Sequence, residues 1–415
     1  MMTTKSDNGM KRFFLILVAC WFAGSHSEAT ESNVEYLNPA LPPPTVRLIL
    51  EEAEQVVFAA EDAKCPGKDE WGGKMDLPDA PLRAFRLANG KIKILSPHYN
   101  NLAYVTDDFT HISHPDCHSM FSSIKSTDPD TFSNRDWLVS AHIYDDGRIY
   151  GLVHNEYWGG QYNITCRLRL EERAYWDSIC LYVNLISTAS PDNGHTFKLL
   201  TQPLNLAAAF PYPFAPDMGR VGVRDPSNIL FNPKDGNLYF LAIVDSYRDQ
   251  PRGNCLFRSR DPLTQAWRAW DGKKFDTVMG SPYNQKENNQ PAFCASVSDL
   301  NMTTLLYSTE ADTFIGFGYE ERIRPGGLFY RTSGDLIHWS APALLTEGHS
   351  FGFWAPGKGP LIAYPSLLDP DSSGNNFDEI GANGFLFFQK IRLRDGKPDA
   401  RQRDIVRRQV KIIAQ

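Results

Sequence analysis

The run Ser190-Pro191-Asp192-Asn193-Gly194-His195-Thr196-Phe197 decides the fold. A hydroxyl residue opens it, an Asp follows two positions later, and an aromatic ends it. An Asp so placed accepts hydrogen bonds from the backbone N–H groups downstream and closes a tight turn. The aromatic is then placed to tuck back between neighbouring sheets. The same arrangement recurs at Thr106-Asp107-Asp108-Phe109-Thr110-His111-Ile112, at Ser259-Arg260-Asp261 with Trp267, and at Ser333-Gly334-Asp335 with Trp339. The aspartates Asp108, Asp192, Asp261 and Asp335 stand 84, 69 and 74 residues apart. Each interval has room for about one four-stranded sheet.

A second element lies upstream of each turn: a strand, a polar turn and another strand. Trp137 to Tyr144 leads through Asp145-Asp146-Gly147 into Arg148 to His154. Asp225 to Phe231 leads through Asn232-Pro233-Lys234-Asp235-Gly236 into Asn237 to Val244. Leu82 to Leu87 with Ala88-Asn89-Gly90, Ala292 to Tyr307, and Pro365 to Gln389 complete the set. Asp-Gly and Asn-Gly are hairpin signals. Radial repetition of four-stranded sheets protects sheet edges. The two interleaved repeats therefore predict an all-β β-propeller, of five four-stranded blades. A large β-sandwich is the competing architecture, and it has no need of the registered spacing. Only Leu48 to Ala60 is ambiguous between strand and helix.

The composition agrees. Thirty Gly and 28 Pro among 415 residues suit short strands and many turns. A net charge of −7, with no basic run beyond the N-terminus, argues against a nucleic-acid partner. Lys11 and Arg12 precede an apolar stretch, Phe13 to Gly24, too short to span a bilayer. Small residues follow. This reads as a secretion signal over residues 1–29. Leu17-Val18-Ala19-Cys20 also has the form of a bacterial lipobox, so a lipid anchor at Cys20 is the alternative to free secretion or a periplasmic location. No other segment is apolar enough to span a membrane. A Pro-rich linker is expected over 30–44 and a single propeller domain, a monomer, over 45–415. Six cysteines remain after the signal (Cys65, Cys117, Cys166, Cys180, Cys255 and Cys294), an even number that suggests disulfides. Cys166 with Cys180 would staple one local excursion. Asn163 and Asn301 open glycosylation sequons.

These residues resemble known families. The run Ser190 to Phe197 is similar to the Asp-box of sialidases and related propellers, a structural motif of the outer rim. Arg224-Asp225-Pro226 resembles the Arg-Asp-Pro element of the five-bladed glycosidases of glycoside hydrolase family 32. The wider run from Asp225 through Tyr239 looks like the recurring blade of family 43 arabinanases and xylosidases. The blade-level likeness covers most of residues 76 to 395. The chain lacks the Asn-Asp-Pro-Asn-Gly run and the Glu-Cys element of family 32, and no full sialidase arginine triad can be placed. The resemblance therefore implies the shared architecture and a glycosidase-like mouth, without naming a family.

Glycoside hydrolysis needs two carboxyl groups flanking one bond. In a propeller the innermost strand ends converge on the funnel, so residues distant in sequence meet there. Asp79 opens the first inner strand, where the resembling families carry their base or nucleophile. Asp76 competes with it, and a turn cap beside Pro78 or Pro81 competes with both. Asp225 opens the third inner strand and matches an Asp that stabilises the transition state or positions the acid, against a plain Asx-turn before Pro226. Glu156, in His154-Asn155-Glu156-Tyr157-Trp158, is a candidate acid, and Glu310 in Ser308-Thr309-Glu310 is its rival. A solvated surface carboxylate is the bland alternative for each. Arg83 and Arg86 could bind an acidic sugar's carboxylate or form structural ion pairs. His154, Trp158, Arg224, Gln290 and Tyr364 are candidate substrate contacts, with Gln389 beside them. His98, His142, His154 and Asp245 fall near inner strand ends and could together hold a central cation such as calcium, although the His spacing carries no metal motif. No cofactor fingerprint is present.

Two functions follow. One is an exported glycosidase acting on an extracellular oligo- or polysaccharide. The other is a non-catalytic propeller that binds glycan or protein, since fold does not fix function.

Overall fold

The hairpin signals fold as hairpins. Asp145-Asp146-Gly147 turns Arg135–Ile143 back into Ile149–Trp158, with Ile143 opposite Ile149 and Arg135 opposite Glu156. Gly147 takes the positive φ of 86° that this turn requires. In the same way Leu230–Asn232 returns as Asn237–Val244, and Asn301–Ser308 as Thr313–Glu320. The central strands are buried along nearly their whole length, as Leu181–Ser190 shows. Each sheet packs against a neighbour on both faces, so near-continuous apolar runs replace simple alternation. The ambiguous stretch after Leu48 is a strand, Val46–Phe58, followed by a single 3-10 turn.

The computed structural model describes residues 41–415 except 68–73, 75, 99, 113–114, 163, 167–178, 285–290, 321–324, 351–353 and 357–358. Among the described residues there are 25 strands and no α-helix, so no helix is long and apolar enough to cross a membrane. The protein is an all-β propeller. Ala84–Arg86, Ile92–Ser96, Leu102–Thr106 and Pro115–Asp116 form one four-stranded sheet. A 12-stranded assembly runs from Arg135–Ile143 to Phe275–Thr277, its two halves joined where Val221–Arg224 pairs parallel with Leu181–Ser190. A five-stranded sheet is built on Asn301–Ser308. The last sheet orders its strands Val46–Phe58, Lys397–Ala414, Asn383–Arg394, Ala363–Leu368. Its outermost strand thus comes from the beginning of the described chain, and its other three from the end.

The four repeated turns lie at one end of the strands, called here the far end. Asp192 accepts from Thr196 N at 2.7 Å and from Thr196 Oγ1 at 2.6 Å. Asp335 accepts from the backbone of Ile337 and His338, Asp108 from Thr110, and Asp261 from Leu263. The aromatics Phe109, Phe197, Trp267 and Trp339 are buried. Trp267 lies between Tyr150 of one sheet and Phe240 of the next, with ring centroids at 5.9 and 4.7 Å. Its indole N–H donates to Tyr150 Oη, which bonds Ser187. Phe109 packs on Phe387 of the last sheet and so helps close the ring.

The inner strands meet at an axial cavity lined by Leu82, Arg83, Ser140, Asn228, Thr304 and Leu367, among others. The connection from Ala363–Leu368 to Asn383–Arg394 crosses the far end. Asn375 O accepts from Arg86 N, Asn376 bonds both backbone atoms of Ile143, Asp378 accepts from Phe231 N, and Asp378 O accepts from Tyr307 N. This one segment knits four other inner strands together. The opposite end is the mouth. Disulfides join Cys65 to Cys117, Cys166 to Cys180 and Cys255 to Cys294. The expected local staple is therefore present. The N-terminal signal, Cys20, Asn163 and Gln290 lie outside the described residues.

Candidate active site at the propeller mouth

Two acidic centres from strands far apart in sequence converge at the mouth. Asp79 precedes the strand Ala84–Arg86 and is anchored through its backbone N–H to Pro97 O. Its Oδ1 accepts from Tyr364 Oη at 2.7 Å and from Arg403 at 3.1 Å. Burial raises its pKa, but Arg403, then His98 and the Tyr364 hydroxyl, outweigh burial and hold the carboxyl below its usual range. Its side chain remains 33% exposed. Gln389 donates to Pro78 O at 2.7 Å and fixes the loop from beneath.

Asp225 follows Val221–Arg224. The Arg224 guanidinium holds Asp245 through two nitrogens at 3.0 Å and reaches Asp225 as well. Burial again opposes ionisation of Asp225, and Arg224, His154 and Arg220 reverse it, so its pKa is lowered. The side chain is 42% exposed while Asp245 behind it is 13% exposed. The Tyr364 hydroxyl is driven far up, first by burial, then by Asp79, with Asp225 adding in the same direction. The two carboxylates thus bear on one phenol.

Glu156 lies in the last turn of alternation of Ile149–Trp158. Its oxygens accept from His154 Nε2 at 3.0 Å and from Trp158 Nε1 at 2.6 Å. Asp225 N–H donates to His154 Nδ1 at 3.5 Å, so the imidazole sits between the Asp225 backbone and the Glu156 carboxylate. Glu156 and His154 are 15% and 11% exposed.

Asp225 and Tyr364 share an unusual backbone. Their φ angles are 49° and 50°, and each precedes a proline, Pro226 and Pro365. A residue before proline favours extended backbone. Holding a non-Gly residue in the left-handed region costs of order 1–3 kcal/mol and is characteristic of functional positions. Arg224, Asp245 and Asp79 over-determine both conformations.

Other expectations change. Glu310 is exposed in the turn between Asn301–Ser308 and Thr313–Glu320, at the far end beside the Lys234–Asp312 pair. The first strand of that hairpin runs away from the mouth, so its terminal turn cannot reach Asp79. Arg86 donates to Ser372 O and covers the Phe377 ring, also at the far end. Arg83 makes no pair with Asp79: it lies in the axial cavity, and Arg403 is the Asp79 cation. Trp158 is buried beneath Glu156 and covered by Arg135 at 4.1 Å, so its ring is not a platform for a sugar. Asp76 accepts from the backbone of Lys64 and Cys65 and is a structural residue. His142 is buried, and burial pushes it down to about 4. Among the described residues no group of three or more His, Cys, Asp or Glu side chains gathers as a metal site.

Two further residues stand outside the motifs read above. Arg403 sits in a charged run of the last strand, with nothing local to separate it from its neighbours. Asp136 had a signal: it opens an inner strand, as Asp79 does. It is buried, bonded by Asn155 at 2.6 Å and Ser133 at 3.2 Å, and burial pushes it up to about 7.

No protein-family model and no curated protein matches the sequence. Solved structures do. A Dyadobacter fermentans protein of unknown function is 12% identical, with 89% of this chain and 100% of that one covered, at a TM-score of 0.47. An N-acetylgalactosamine deacetylase from F. plautii, solved with blood group B trisaccharide, is 13% identical over 86% and 95%, at 0.47. A family 117 glycoside hydrolase from Zobellia galactanivorans is 10% identical over 90% and 91%, at 0.45. Identities this low transfer neither substrate nor mechanism between chains.

Proposed function

We propose that the chain is an exported glycoside hydrolase, a five-bladed propeller that cleaves a glycosidic bond at its mouth. One observation carries this reading. Asp79 and Asp225 are both held ionised and both part-open to solvent; Asp79 bonds the Tyr364 phenol at 2.7 Å, and Asp225 acts on the same phenol through its charge. Paired carboxyl groups across a sugar are what the reaction needs. Asp79 is the base or nucleophile, kept as the anion by Arg403 and Tyr364. Asp225 faces the positive charge that develops on the ring in an oxocarbenium-like transition state. The leaving oxygen takes its proton from Glu156 in its carboxylic-acid form, and the glutamate left behind accepts from His154 Nε2–H and Trp158 Nε1–H. The substrate is an extracellular oligo- or polysaccharide. The N-terminal signal pattern and three disulfides support export. The four far-end turns read as Asp-boxes that hold neighbouring blades in register.

A panel of aryl glycosides and oligosaccharides tests this. Asp79→Asn is expected to lower turnover at least about 100-fold while glycan binding persists, and Glu156→Gln to displace the basic limb of the pH–rate profile. If the wild type hydrolyses nothing yet binds glycans through Asp79, the protein is a binding module instead. If Asp79→Asn and Glu156→Gln both keep wild-type rates, the assignments fail.

A further inference from the structure

The axial cavity contains a cation that no described carboxylate balances. Arg83 is buried, 7% exposed. It donates to Leu82 O at 3.0 Å and to Thr303 O, and its Nε–H has no partner. No described carboxylate pairs with it. Burial alone acts on its pKa, lowering it to about 9, which leaves it charged at neutral pH. Other buried arginines are compensated: Arg224 faces Asp245, Arg403 faces Asp79, and Arg331 faces Asp299. Leaving one buried guanidinium unpaired is strongly destabilising.

The space beside it is small and offers donors. The cavity volume is about 20 Å³. That is room for a water molecule or a small ion. Thr304, which lines the cavity, has a buried hydroxyl without a partner. Ser140 Oγ accepts from Ile229 N at 3.1 Å and keeps its own hydrogen to give. The nearby amide of Asn376 is spent on Ile143. A water molecule would fill the volume but not the charge.

We propose that the axial cavity binds one small monovalent anion, a halide such as chloride, seated against Arg83 Nε and the hydroxyls of Thr304 and Ser140. The anion completes the junction of the inner strands, so its effect is on stability and is independent of the chemistry at the mouth. Thermal unfolding of the full chain in sodium chloride and in sodium gluconate, at equal ionic strength, tests it. The wild type is expected to melt several degrees higher in chloride, along a single-site saturation curve, and Arg83→Met to show no difference between the salts. A chloride shift of equal size in Arg83→Met, or none in the wild type, overturns the proposal. Should Arg83→Met fail to fold, crystals of the wild type grown in bromide decide: an anomalous peak beside Arg83 supports the site, and its absence there refutes it.

Discussion

At the scale of single residues, the mouth is governed by which carboxyl group has a cation. Asp79 has Arg403 and Asp225 has Arg224, and both stay ionised. Asp136 is buried without a cation in hydrogen-bonding contact, and is pushed up to about 7 from 3.8. The sign of its contribution follows. Between about pH 4 and 7 the folded protein keeps this proton while the unfolded chain releases it, so stability falls as pH rises through that window. The Tm of Asp136→Asn relative to wild type is therefore expected to climb from pH 4 to pH 7 and level off above, as scanning calorimetry would show. Tyr364→Phe probes the other device. It removes one hydrogen bond to an ionised carboxylate, worth about 1.5–3 kcal/mol. Turnover should fall about 10- to 100-fold and Tm by a few degrees; an unchanged rate would mean that the phenol does not tune Asp79. Asp225 and Glu156 were legible because they break apolar strands next to Pro226 or Trp158. Arg403 was not, because a cation reaching in from a distant strand leaves no local pattern.

At the scale of elements, sheets are stitched by buried asparagines that satisfy a neighbour's backbone. Asn228 bonds both Leu305 N and Leu305 O at 2.8 Å, and Asn101 bonds Leu138 N at 2.6 Å and Asp136 O at 2.7 Å. Asn228→Ala would leave a buried N–H and C=O unsatisfied, at about 1–3 kcal/mol each. A loss of about 2–4 kcal/mol in denaturant unfolding is expected, and a loss below 1 kcal/mol would show that the strands hold register without it. The hairpins and repeated turns were readable because Asp-Gly pairs and Asp-plus-aromatic spacing are local signals. Glu310 was misplaced for a related reason. The end of a first strand and the end of a second strand look alike in sequence, yet they lie at opposite faces of the ring.

At the scale of the whole molecule, covalent and topological closure complement each other. Cys65–Cys117 spans 52 residues and ties the approach to Asp79 onto the first sheet's edge. A loop of that length constrains the unfolded chain by about 4 kcal/mol. The double variant Cys65→Ala, Cys117→Ala should melt well below wild type in oxidising buffer, and the two should converge under reducing conditions. A gap that survives reduction would assign the effect to packing.

The last sheet sets a condition on how the protein is made. Val46–Phe58 pairs along its length with Lys397–Ala414, Val46 opposite Ala414. A ribosome therefore delivers one partner before every other described strand and the second after them all. Until then a strand with apolar ends and a charged middle waits with its hydrogen-bonding edge bare, the condition that invites association with other chains. Contacts this distant in sequence also make closure slow. Production of this protein should accordingly be limited by nascent-chain crowding more than by final stability, and slowed translation or a holdase that covers the waiting strand should raise yield without altering the finished molecule.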